Sequence, residues 1–145
     1  MPESQWQSSP LTPTRFTLRV LPVKLAVCRL ASAAPIPEWA GFSGLLAFIR
    51  TGDELCVVCA EGDLPENVTA EPGWCALQVQ GPLEFSQVGV LAALSVALAE
   101  ANISLFALST FDTDYLLVKQ AHLERAIGAL TLAGHQVERW AGDRP

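Results

Sequence analysis

Two histidines, one tyrosine, one methionine and nine basic residues are all that this chain of 145 residues holds of those types. Each scarcity excludes something. Nine Lys and Arg stand against fifteen Asp and Glu, for a net charge of −6, and the basic residues form no cluster. Neutralising phosphates supplies much of nucleic-acid affinity, so neither nucleic acid nor an anionic membrane surface is an expected partner. No segment offers the roughly 18 uninterrupted apolar residues that cross a bilayer. The first fourteen residues, MPESQWQSSPLTPT, lack the basic start and apolar run of a signal peptide. They read as a disordered tail over 1–14, and a cytoplasmic location is expected. His122 and His135 lie in no nucleophile motif, and GxSxG, Walker and GxGxxG patterns are missing. Hydrolysis and nucleotide binding therefore have no support, and neither an enzyme activity nor a cofactor is expected.

What is present is apolar. Half of the residues are hydrophobic, enough for a core of real size. Four cysteines, Cys28, Cys56, Cys59 and Cys75, are expected as reduced thiols. Cys56 and Cys59 have CxxC spacing but sit in ELCVVCAE, which reads as a strand. Side chains three apart on a strand point to opposite faces, so the pair is not expected to hold a metal.

RFTLRVL (15–21) and VKLAVCRL (23–30) read as two strands split by Pro22. Residues 31–44, with two prolines and two glycines, read as loop or one short turn of helix. GLLAFIRT (44–51) and ELCVVCAE (54–61) flank Gly52-Asp53 and read as a hairpin. A polar stretch (62–73) leads to a strand, WCALQVQG (74–81). A helix is expected over about 86–101, N-capped by Ser86, with Val88, Leu91, Leu94 and Leu98 on one face and Asn102 as a left-handed end. Strands at 103–110 and 114–119, a helix at about 121–133 ending at Gly134, and a strand at 135–140 complete a βαββαβ order. Shifting 44–61 by 60 positions lays it on 104–121, hairpin on hairpin. That echo predicts two related halves and eight strands, with loops in place of the first half's helices.

The stretch GPLEFSQVGVLAALSVALAEANISLFALSTFDTDYLLVK (81–119) resembles the C-terminal module of tandem ACT-domain proteins similar to the CASTOR-type arginine sensors, and the ACT modules of aspartokinases. The resemblance runs over about 81–137 and is loose over 15–73. It implies an α+β, ferredoxin-like βαββαβ fold: a degenerate ACT-like module at 15–73 and a complete ACT domain at 74–141. It also implies side-by-side pairing of modules, a homodimer, and non-catalytic allosteric binding of a small molecule, an amino acid or similar metabolite, on behalf of an unidentified regulated protein. In such modules ligand meets the loop into the first helix, here Glu84, Phe85, Ser86, Gln87, Val88, Gly89 and Val90. It also meets the end of the next strand, here Ser109, Thr110, Phe111, Asp112 and Thr113.

The residues themselves suit that chemistry. Helix-start amides at Ser86–Gly89 would bind a carboxylate, Gly89 would let it approach, and Asp112 or Asp114 would accept an ammonium or guanidinium. Plainer roles remain open: Ser86 as a helix cap, Gly89 as a packing glycine, the two aspartates as turn formers. An ACT-type dimerisation module without ligand would carry the same helices and strands.

Overall fold

The computed structural model describes residues 15–81 and 89–139. The tail expected at 1–14 lies outside the described residues. Among those described, the elements are β1 (Thr17–Leu30), β2 (Ala47–Arg50), β3 (Leu55–Ala60), β4 (Thr69–Val79), α1 (Val90–Glu100), β5 (Phe106–Ser109), β6 (Asp114–Lys119), α2 (Leu123–Leu132) and β7 (Gln136–Arg139). All seven strands join one sheet in the order β2-β3-β1-β4-β6-β5, with β7 parallel beside the start of β1. From β4 onward the order is βαββαβ, as expected. No described helix is long and apolar enough to cross a membrane.

Two expectations are corrected. Residues 15–21 and 23–30 belong to a single strand, so the described sheet has seven strands and not eight. Pro22 is tolerated because no ladder pair involves Leu21–Val23: the β7 pairing ends at Val20, the β3 pairing begins at Leu25, and a bulge interrupts the pairing with β4. A residue without an N–H costs nothing where no ladder needs one. The strand expected at 74–81 begins at Thr69, so a boundary at 73/74 falls inside β4.

One face of the sheet is covered throughout. Leu18, Val20, Leu77, Val79, Leu116 and Val118 point up at every second position, and Leu94 and Leu98 of α1 with Leu123, Ala126 and Leu130 of α2 close over them. Burying each such leucine contributes roughly 1.5–3 kcal/mol before entropy is counted. Beside them on the same face, Ala26, Cys28, Val57 and Cys59 are covered by loops through Trp39, Ala40, Leu64 and Val68. The first half has loops where the second has helices, as expected. The opposite face carries Leu25, Val58, Ala76 and Leu117, flanked by half-buried Trp74, Phe106 and Tyr115.

Both helices end in the same way. Asn102, with φ 60°, donates to the Ala99 carbonyl, and Ile103 donates to that of Leu98. Gly134, with φ 101°, donates to Thr131, and His135 to Leu130. These are the paired bonds of a Schellman end, which requires a left-handed residue.

Cys56 and Cys59 fall into different apolar clusters on opposite faces of β3, as strand geometry demands. Cys59 lies instead beside Cys28 across the β1–β3 pair, and their thiols share a hydrogen bond. Burial first, then the neighbouring Cys59, pushes the Cys28 thiol up to about 12.

The internal repeat is real but its register differs by one residue. β2 superposes on β5, Thr51 on Thr110, β3 on β6, and the 3-10 turn Glu61–Asp63 on Gln120–His122, all at a shift of 59. A shift of 60 would set inward residues on outward ones, because a one-residue slip exchanges the faces of a strand. With Ala60 matched to Lys119, their partners Leu25 and Trp74 are matched as well, at a shift of 49. Leu25 and Trp74 face each other, so a pseudo-twofold axis passes between them.

Candidate functional site

β4 ends at Val79, and Gly89 precedes the first residue of α1, Val90. Ser86, Gln87 and Val88 lie outside the described residues. The helix cap is Gly89, not Ser86: its φ of 87° and ψ of 6° are left-handed, and the first helical bond runs from the Ala93 amide to its carbonyl. Only glycine adopts that conformation without strain. Among the described residues no side chain caps this end. The amides without an acceptor inside the helix are therefore those of Gly89, Val90, Leu91 and Ala92. Val90 is buried, so it offers its amide and nothing else.

The second part of the site is the β5–β6 turn. The Thr110 amide donates to the Thr113 carbonyl at 2.8 Å, and the Thr113 amide donates to the Thr110 hydroxyl at 3.3 Å. Thr113 is buried, and its hydroxyl donates to the Val79 carbonyl at 2.6 Å. That bond fixes the turn to the end of β4, the strand leading toward α1. Thr113 is thus a positioning residue with its hydroxyl already engaged. Ser109, Thr110, Phe111 and Asp112 are exposed, Phe111 to 78%. Reading Ser86 as the cap missed the signal that a glycine directly precedes the unbroken run VLAALSVALA.

The described groups are backbone amides at the start of α1 and, on the β5–β6 turn, hydroxyls and the Asp112 carboxylate. Of the histidines, His135 is committed to the fold: it is buried, burial lowers its pKa, and its Nδ1 accepts from the Phe16 amide. Cys28, Cys59 and Cys75 are buried, and burial holds their thiols above the ordinary range.

Residues 69–131 match the ACT domain family, and residues 24–67 match a separate family of N-terminal domains. The Agobacterium tumefaciens protein Atu0741, of known crystal structure, is 35% identical, with a TM-score of 0.83 over 88% of this chain and 95% of that one. The chain belongs to the family of that protein and carries an ACT domain. Its fold also resembles VC0802 of Vibrio cholerae, a protein of unknown function described as a possible transport protein (19% identity, TM-score 0.66, 88% and 96% coverage). The regulatory subunit of aspartate kinase from Thermus thermophilus shares the fold at 11% identity, with a TM-score of 0.54 over 79% of this chain and 97% of that one. No curated protein matches the chain in sequence. Within the ACT domain, β4, the start of α1 and the β5–β6 turn are the elements assembled above.

Proposed function

We propose that this ACT-domain protein is a non-catalytic regulatory protein of the cytoplasm that binds an amino acid. The carboxylate meets the amides of Gly89–Ala92, and the ammonium lies toward Asp112, with Ser109, Thr110 and Phe111 lining the approach. The observation that carries this reading is the Thr113–Val79 bond, which fixes an exposed carboxylate turn to the end of β4, the strand that precedes the Gly89-capped helix start. Residues Ser86, Gln87 and Val88 complete the loop in this reading. Four free thiols suit a reducing compartment. The pseudo-twofold relation supports a tandem plan, with 15–73 as the degenerate ACT-like module and 74–141 as the ACT domain, kin to the CASTOR-type sensors. The outer edges of β2 and β5, unpaired among the described residues, offer backbone groups for pairing into a homodimer that acts on a separate regulated protein.

A thermal-shift screen against the twenty amino acids tests the reading, because a ligand of the native state must raise the melting temperature. Asp112→Asn then weakens a cationic ligand about tenfold, as a lost charge-assisted bond does. Gly89→Leu is unsuitable as a probe, since a side chain at φ 87° is strained. No shift with any amino acid favours instead a ligand-free interaction module. The half-buried Trp74, Phe106 and Tyr115 on the helix-free face would then be its contact surface.

A further inference from the structure

We infer a second binding site, for a small dicarboxylate, in the cleft of about 290 Å³ where β1 bulges. Its walls include Pro22, Lys24, Cys75, Gln120, Leu123 and Arg139. The cleft lies between the bulge of β1, the 3-10 turn at Gln120 and the start of α2. It is independent of the amino-acid site at the β5–β6 turn.

The internal symmetry indicates what it takes. The pseudo-twofold relation that matches Glu61 with Gln120 also matches Gly73 with Lys24, since Leu25 and Trp74 are equivalent and these residues precede them. In the first half this corner is closed from within: the Gly73 amide donates to Glu61 Oε1 at 2.7 Å. In the second half the acid is replaced by a neutral amide and the glycine by a cation. The corner that holds a carboxylate of the chain in one half holds Gln120 and Lys24 in the other. A carboxylate from outside completes it.

Charge supports two carboxylates and not one. Lys24 and Arg139, two cations, line the cleft together with Cys75. Lys24 belongs to neither described ion pair. Arg139 already binds one carboxylate, that of Glu124, whose side chain is 76% exposed and free to swing away. A short dicarboxylate places one group against Lys24 and Gln120 and the other on Arg139 in place of Glu124. Fork-shaped guanidinium donors favour that exchange.

Calorimetric titration of the full chain with succinate, at low ionic strength, tests the site. Lys24, Gln120 and Glu124 are exposed, so their variants keep the fold, which circular dichroism checks. Saturable binding of succinate is expected, with acetate far weaker. Lys24→Gln weakens succinate about tenfold, the usual loss for a charged hydrogen-bond partner. Gln120→Glu, which restores the first half's acid, abolishes binding. Glu124→Gln tightens it by freeing Arg139, and Asp112→Asn leaves it unchanged. The inference fails if succinate gives no saturable heat, if Lys24→Gln and Gln120→Glu bind like wild type, or if acetate matches succinate.

Discussion

His135 accepts a hydrogen bond at Nδ1 from the backbone amide of Phe16, at 3.1 Å, across 119 residues of sequence. Their rings stack at 5.6 Å between centroids. The neighbouring Gln136 amide donates to the Phe16 carbonyl at 2.9 Å. One buried imidazole thus sets the register of the parallel β1–β7 pair, and it does so only in its neutral form.

Stability is expected to fall on mild acidification. Burial lowers the His135 pKa from the usual 6.5, whereas in the unfolded chain it keeps that value. The unfolded state therefore binds the proton first. His135 contributes its full share above 6.5 and loses it as pH drops from there toward the lowered native value. Urea midpoints measured from about pH 8 to about pH 5 should decline below the ordinary histidine range in wild type. The His135→Phe variant should be flatter with pH. It should also be less stable at neutral pH by about 1–3 kcal/mol, because the Phe16 amide is left buried without an acceptor.

The two helix ends predict opposite outcomes. Asn102 holds a left-handed conformation that favours glycine, so Asn102→Gly should stabilise by about 0.5–1 kcal/mol. Gly134→Ala places a Cβ at φ 101° and should destabilise by about 1–2 kcal/mol. Chemical denaturation of the two variants measures both.

Thr113→Val is nearly isosteric yet removes the donor to the buried Val79 carbonyl. A loss of about 1–3 kcal/mol is expected in denaturation, with impaired amino-acid binding through a loosened turn. Thr110→Val, at an exposed position, should cost less than about 1 kcal/mol.

Thiol chemistry should discriminate among the four cysteines. Iodoacetamide at about pH 8, read by peptide mass spectrometry, should label half-buried Cys56 first and slowly, since burial raises its pKa as well. Cys28, pushed up to about 12, should stay unlabelled until the protein is denatured. Equal labelling of Cys28 and Cys56 in the native protein would contradict the burial described.

Much of the fold is local and can be read from the chain. The period of Leu91, Leu94 and Leu98 marks α1, Gly52-Asp53 marks the β2–β3 hairpin, and Asn102 and Gly134 mark helix ends, each through a preference acting over a few residues. The hairpin echo was also visible, though one residue out of register. Apolar matching alone does not distinguish neighbouring registers, whereas the Thr51 and Thr110 turn bonds do. Of the elements of the candidate site, the β5–β6 turn stands where the sequence places it, but the helix cap is Gly89 and not Ser86, because a glycine can enter the left-handed region.

What the sequence by itself determined is the elements of the second half, their βαββαβ order and the ACT resemblance, since those rest on short-range patterns and a continuous stretch of residues. Tertiary structure alone decided that β1 runs unbroken through Pro22 and pairs with β3, β4 and β7 in turn. It also decided that Thr113 serves Val79, and that Lys24, Gln120 and Arg139 share a cleft. Each of these joins residues tens of positions apart, and no local propensity carries information about a partner that only the closed sheet brings near.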